Sequence, residues 1–357
     1  MKARWIDWRN DVIGSAAFRR WAARFPLTRP IARARARETF GLVAGFVYSQ
    51  VLSACIESGL LTRVSKGAQT VADVAAHCDL SLEAARRLLK AAASLHLVES
   101  VGDRWMLGRI GAAIIADHGI VAMIAHHRML YADLADPLGL LRRTNVHGGG
   151  GGGALSNFWP YAEARDGAVD GYAALMAASQ PMVAEQAIGA YQFARHKRML
   201  DVGGGEGAFV AAVAAAAPRL HRAVFDLPDV VARIEDREVE RFGGSFLTDA
   251  LPPGFDLITL VRILHDHDDA AMLRILSATR AALATGGRLL IVEPMAGTGG
   301  DAAMADAYFG FYLLAMGSGR ARRPEELRAA VHAAGFRRTR VTGTALPLIA
   351  QIIVADI

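Results

Sequence analysis

Apolar and polar positions follow two regimes along this chain. From about residue 198 onward, short apolar runs recur between stretches of helical spacing. They predict strands at 198–203, 221–226, 242–247, 255–261 and 287–293, with helices between them. Phe336–Val341 and Leu348–Val354 read as two more strands, joined by a short Thr-Gly-containing turn with no intervening helix. Five strand–helix units predict an α/β fold with a parallel sheet and a ligand at the carboxyl ends of its strands. The terminal hairpin adds an antiparallel strand to that sheet.

Before residue 198 the spacing is mainly helical. Thr70–His77 and the segment from Ser81 to about Ser94 read as short helices, the second capped by Ser81, and Leu97–Leu107 reads as a two-stranded wing around Gly102-Asp103. This winged-helix pattern has two uses: a packing or dimerisation module, or a DNA reader presenting Arg86, Arg87 and Lys90. Residues 108–146 are helical, six glycines at 148–153 read as a flexible surface loop, and 154–190 return to helical spacing with Tyr172, Met176, Ser179 and Met182 prominent. Thr39–Ile56 carries no formal charge, but Gly41, Gly45, Ser49, Gln50 and Ser53 favour a buried helix, with a subunit interface as its candidate cover, over a membrane span.

Charge changes the picture at the N-terminus. Residues 1–40 hold ten Lys/Arg against three Asp/Glu, whereas the rest of the chain is close to balanced, so the net charge of +5 belongs to an arm and not to the fold. The arm also carries Trp5, Trp8 and Trp21, and Phe18, Trp21, Ala22 and Phe25 fall on one helical stripe. Arginine and tryptophan on an amphipathic helix suit an anionic membrane surface; the alternative is a stripe packed on the protein itself. A chain that is not basic outside the arm argues against nucleic acid as a partner. Only Cys55 and Cys78 are present, too few for a disulfide framework, and no secretion signal is read at Met1-Lys2-Ala3-Arg4-Trp5, so a cytoplasmic location is expected.

The chemistry centres on Met199-Leu200-Asp201-Val202-Gly203-Gly204-Gly205-Glu206-Gly207. An apolar run feeding spaced glycines suits a strand that turns sharply into a helix, with a ligand approaching closer than a Cβ allows. The run also fits a dinucleotide fingerprint, which makes an NAD-dependent oxidoreductase the rival. An acid at Asp201, a terminal hairpin instead of a second nucleotide-binding half, and no Tyr-x-x-x-Lys pair favour S-adenosylmethionine, whose sulfonium is cationic and carries no pyrophosphate.

Leu200–Gly207, Phe225-Asp226-Leu227-Pro228 and Leu264-His265-Asp266-His267-Asp268-Asp269 resemble the plant-type small-molecule O-methyltransferases, across roughly residues 41–357. The resemblance implies a Rossmann-like class I methyltransferase domain at 186–357, preceded by a winged-helix dimerisation and substrate-lid domain at 41–185 and the basic arm at 1–40. It also implies a homodimer. Trp21-Ala22-Ala23-Arg24, Leu42–Gln50 and Tyr308–Arg320 further resemble the carotenoid O-methyltransferases of purple phototrophic bacteria. Those enzymes act on the tertiary 1-hydroxyl of hydroxyneurosporene and demethylspheroidene. A phenolic or polyketide acceptor, or a winged-helix regulator whose second domain only senses a ligand, are the alternatives.

By this resemblance His265 is the general base, Glu293 the carboxylate that orients it, and Asp266 a substrate contact or a helix cap. The family's second glutamate is replaced by Ala321. Gly203 and Gly205 approach the cofactor, Asp226 its ribose, and Ser245-Phe246 its adenine. The family's basic residue four before the histidine is Val261 here, and the adjacent Arg262 is the candidate to contact the cofactor in its place. Tyr131, Met176, Tyr308, Phe309, Tyr312 and Met316 are candidates for an apolar pocket. No metal is implied, because the His265–Asp269 run fits the family motif without one. The hydrophobic acceptor makes peripheral contact with the inner or photosynthetic membrane through residues 1–40 a natural expectation.

Overall fold

The computed structural model describes residues 1–147, 153–158, 168–297 and 303–357; the glycines at 148–152 and the side chain of Tyr172 lie outside them. The chain divides into two compact units, Met1–Ala116 and Asp117–Ile357.

In the first unit, Thr70 and Asp73 form a capping box that starts the helix Val71–His77: the Asp73 N–H donates to Thr70 Oγ1 at 3.1 Å, and the Thr70 N–H donates to Asp73 Oδ2 at 2.8 Å. Ser81 Oγ accepts from Ala84 N at 3.1 Å and starts Leu82–Ser94. β1 (Val98–Val101) and β2 (Arg104–Leu107) then pair antiparallel around Gly102, as the pattern of the sequence predicts. Upstream lie the helices Lys2–Gly14, Ala16–Arg24 and Arg29–Glu57. The last separates the two ways in which it could be covered. It is long and apolar enough to cross a membrane, but it is not buried: only Ser53 and Cys55 are, while Phe40, Leu42, Val43 and Phe46 are exposed. The physical reason is that its apolar residues run along a face that its own unit leaves uncovered.

The second unit opens with the helices His118–Asp133, Pro137–His147, Ala154–Phe158 and Ala168–Ala190, so residues 117–185 belong to the same unit as the sheet, and the boundary between units falls at Ala116. Its sheet contains β3 (Arg198–Val202), β4 (His221–Asp226), β5 (Val239–Gly243), β6 (Phe255–Val261), β7 (Leu283–Glu293), β8 (Arg338–Thr342) and β9 (Gln351–Asp356). The spatial order is β5-β4-β3-β6-β7-β9-β8, parallel through β7, with β9 antiparallel to both its neighbours. The near-continuous apolar run of β6 is explained by cover on both faces. Ile258 and Leu260 pack with Ile275, Leu276 and Leu327 on one side, and Leu257 and Val261 pack with Phe209, Val213 and Ala187 on the other. Each such side chain contributes roughly 1.5–3 kcal/mol when fully buried.

Three strands differ most from their predicted spans: β7 starts earlier, at Leu283, β9 starts later, at Gln351, and β5 runs 239–243 instead of 242–247. β5 stops at Gly243, opposite Asp226, because Ser245–Asp249 forms a turn of its own: Ser245 O accepts from Thr248 N at 3.1 Å and Asp249 N at 2.7 Å. The order of strands reverses between β3 and β6, so the glycine loop after β3 and the histidine turn after β6 share one edge, where such sheets bind ligands.

Candidate active site

The glycine loop is held from beneath by two buried carboxylates. Asp226, ending β4, accepts from Gly205 N–H at 2.8 Å through Oδ2 and from Leu227 N–H at 2.7 Å through Oδ1. Asp201, in β3, accepts from the Thr259 hydroxyl at 2.6 Å, while its Oδ2 is buried with no hydrogen-bond partner among the described residues. Burial pushes the Asp201 carboxyl up to about 7. This alters the electrostatic picture drawn from the sequence. Asp201 is a supporting group under the loop rather than a charge facing a ligand, and Glu206 lies 3.7 Å from Arg233. The acids around this loop therefore discriminate weakly between a sulfonium and a pyrophosphate.

The glycines themselves fit a closely approaching ligand. Gly203 has φ +70, and a Cβ there would lie 2.4 Å from Ile263 Cδ1 and 3.3 Å from the Phe246 ring, so a larger residue would be strained and would have to displace the Ile263 side chain. Gly205 has φ +58 with open space where a Cβ would point. Phe246 also meets the His267 ring edge-on at 5.5 Å between centroids. It thus joins the glycine loop to the histidine turn. Ser245 donates its N–H to Asp249 Oδ2 at 2.8 Å, so a carboxylate that the sequence reading missed stands beside a serine that brings no charge.

His265 sits in the 3₁₀ turn Leu264–Asp266, and its ring lies between two carboxylates. Asp266 Oδ1 is 3.0 Å from Nε2, and Glu293 Oε2 is 3.8 Å from Nδ1 while accepting from the His265 N–H at 3.2 Å. Burial opposes the imidazolium, but Asp266 and then Glu293 outweigh it, so the His265 pKa is raised. Burial likewise raises Glu293, at the end of β7. Asp266 supplies from the adjacent residue a second carboxylate where Ala321 offers none.

Matches to known families decide the class. Residues 131–337 match the O-methyltransferase domain and residues 40–112 the O-methyltransferase dimerisation domain. The chain belongs to the O-methyltransferase family. It is 39% identical over 341 residues to demethylspheroidene O-methyltransferase of Rhodobacter capsulatus, covering 93% of this chain and 85% of that one. It is also 39% identical over 356 residues to the protein of the same name from Cereibacter sphaeroides, covering 96% and 92%. Among solved structures, human N-acetylserotonin methyltransferase in complex with SAM has a TM-score of 0.76 at 23% identity, over 90% of this chain and 97% of that one. CalO1, a methyltransferase in calicheamicin biosynthesis in its SAH-bound form, gives 0.73 at 26%, over 90% and 98%. The chain is thus an S-adenosylmethionine-dependent O-methyltransferase, and the oxidoreductase and regulator readings fall.

In this methyltransferase the histidine turn is braced by residues the sequence reading passed over. Arg322 is 1% exposed; it donates to Leu264 O and His267 O, both at 2.7 Å, and to Asp269 Oδ1. Ser318 Oγ donates to Asp266 O at 2.7 Å and Arg320 N donates to His265 O at 2.8 Å. The segment 317–322 is therefore a strap over the turn. Its signal in the sequence was an arginine-rich run, read only as a missing glutamate.

Arg262, between β6 and the turn, has φ +57. Its guanidinium reaches Ser179 Oγ at 2.8 Å, Met176 O at 3.2 Å and Gln180 Oε1, one turn before Pro181 inside the helix Ala168–Ala190. Those contacts join the histidine strand to that helix. Two more residues were missed, His126 and His127. His126 Nε2 pairs with the Tyr312 hydroxyl at 3.0 Å and His127 Nε2 with the Tyr308 hydroxyl at 2.7 Å. Tyr131 meets the His127 ring edge-on, Phe309 meets Tyr308, and Tyr308 stacks on Tyr312. Met316 is packed in the core around Leu130, Leu140 and Leu155, and Met176 contributes a carbonyl.

Proposed function

We propose that this methyltransferase acts on the tertiary 1-hydroxyl of an acyclic carotenoid, with His265 as the general base. The reading is supported by the 39% identity, over nearly the whole chain, to two proteins named demethylspheroidene O-methyltransferase. The aromatic wall of Tyr308, Phe309 and Tyr312 beside the histidine turn is consistent with it. S-adenosylmethionine, when bound, supplies an electrophilic methyl group on a sulfonium. Gly203, Gly205 and Asp226 would hold it, with Phe246 over the adenine. His265 receives the hydroxyl proton on Nε2, since Nδ1 faces the fully buried Glu293. The hydroxyl takes the place of Asp266 on that nitrogen, which leaves Asp266 beside the acceptor. A tertiary alcohol is too weak an acid for imidazole to ionise outright, so proton transfer accompanies methyl transfer, and positioning and desolvation carry much of the rate. Incubation with a labelled methyl donor and a panel of hydroxylated carotenoids, phenols and polyketides tests the acceptor. Label is expected in the acyclic 1-hydroxycarotenoids; label in the phenols alone would overturn that assignment.

The partners follow from the first unit. The exposed face of Arg29–Glu57 overlaps the dimerisation-domain match and would be covered in a homodimer. The arm keeps its aromatic stripe outside: Trp21 stacks on Phe25 at 5.2 Å, yet they are 51% and 40% exposed. With its arginines it suits the surface of an anionic membrane, to which a cytoplasmic enzyme would go for a carotenoid. Deleting residues 1–28 is expected to abolish salt-dependent sedimentation with anionic liposomes; unchanged sedimentation would assign the arm to packing.

A further inference from the structure

A cavity of about 510 Å³ opens in the second unit, lined by Leu130, Leu134, Pro137, Ala307, Tyr308 and Phe311. Its size falls in the range of ligand clefts. Among the described lining residues Tyr308 alone has a polar side-chain atom, and that hydroxyl is already paired with His127 Nε2 at 2.7 Å. Ordered water needs two or more polar partners, which these side chains do not offer, so an apolar occupant is favoured. The cavity is linked to the histidine turn through packed side chains and the helix between them. Tyr308 stacks on Tyr312 at 5.9 Å between centroids, and Tyr312 lies on Gly310–Met316, the helix that runs directly into the strap holding His265 and Asp266. The two imidazole–phenol pairs satisfy the phenol hydroxyls of Tyr308 and Tyr312. Burial supports the same picture, lowering His126 to about 4, so its imidazole is neutral.

We propose that this cavity is the binding site for the hydrocarbon chain of the acceptor, and that Tyr308 and Tyr312 form the aromatic face along which the chain runs toward His265. The proposal rests on the carotenoid reading and deepens it: the enzyme selects acceptors by chain length in this cavity, apart from the chemistry at the hydroxyl.

Two variants test it. Ala307→Trp fills the cavity from an exposed rim position, and Leu134→Gln puts an unpaired amide into it. The first readout is binding of a hydroxyl-free linear polyene, followed by the red shift of its absorption. The second compares a long-chain and a short-chain tertiary alcohol with the same head. Both variants are expected to weaken polyene binding at least tenfold and to raise KM for the long alcohol by a similar factor. Their kcat and KM for the short alcohol, and their affinity for the methyl donor, should match the parent. A parent enzyme that does not shift the polyene spectrum, variants that bind it normally, or equal losses on both alcohols would overturn the proposal. A parent that binds the polyene but methylates no tertiary alcohol would instead sink the acceptor assignment and leave the cavity's role standing.

Discussion

Replacing His265 with Gln is expected to lower kcat by about 10²- to 10⁴-fold, the usual contribution of a positioned general base and equivalent to roughly 2.7–5.5 kcal/mol of barrier. Affinity for S-adenosylmethionine, measured by calorimetry, should persist, because Gly203, Gly205 and Asp226 are anchored by β3 and β4 and not by the histidine turn. The pH profile of the parent carries a second signature. The folded environment raises the His265 pKa, burial being outweighed by Asp266 and Glu293, so the imidazolium dominates at low pH and the base form grows in as pH rises. Thus kcat/KM should climb through an apparent pKa above the ordinary histidine value of about 6.5 and then level off. Asp266→Asn removes the carboxylate 3.0 Å from Nε2, so that limb should move to lower pH even as the plateau falls. Near-parental turnover in His265→Gln would remove the base, and an unmoved limb in Asp266→Asn would uncouple the pair.

The parts of this site that were readable in the sequence are those encoded within a few consecutive residues. Gly203, Gly205, Asp226, His265 and Glu293 each lie at or shortly after the end of a strand, which an apolar run announces, while the roles expected of them come from the family resemblance. What could not be read depends on contacts between distant segments. His127 and Tyr308 are 181 positions apart, and neither has a neighbour in sequence that predicts the other. Arg322 looks like a surface charge until its guanidinium is found under the turn, taking two carbonyls that would otherwise be buried without donors. Asp201 was legible as an acid but not as a buried one, since its position under the loop depends on Thr259 in the neighbouring strand. Arg262 escaped strand alternation because the chain enters the left-handed region there. The composition of Thr39–Ile56 suits a covered helix, at a subunit interface or in a core, and composition does not say whether the cover comes from the same chain or another.

Gly319→Ala is expected to cost at least about 10²-fold in kcat, comparable to losing a catalytic side chain, though residue 319 touches no reacting atom. Gly319 has φ +79, and a Cβ there would stand 2.0 Å from His265 O, 2.5 Å from Asp266 C and 2.8 Å from Asp266 Cα. All three are backbone atoms, so no flexible side chain can yield. The left-handed conformation alone costs an alanine roughly 1–2 kcal/mol. The collision adds a displacement of either the strap or the 3₁₀ turn, and each outcome moves the imidazole, because Arg320 N and Ser318 Oγ hold the carbonyls of His265 and Asp266. Gly102→Ala separates the two effects. It has φ +63 and open space around its Cβ, in the wing of the other unit, so it carries the conformational cost without the collision and should leave kcat unchanged. Gly319→Ala should still bind S-adenosylmethionine with near-parental affinity, since the strap makes no hydrogen bond to the glycine loop among the described residues. Parental turnover in Gly319→Ala, with the protein folded by circular dichroism, would mean that the strap does not set the position of the base.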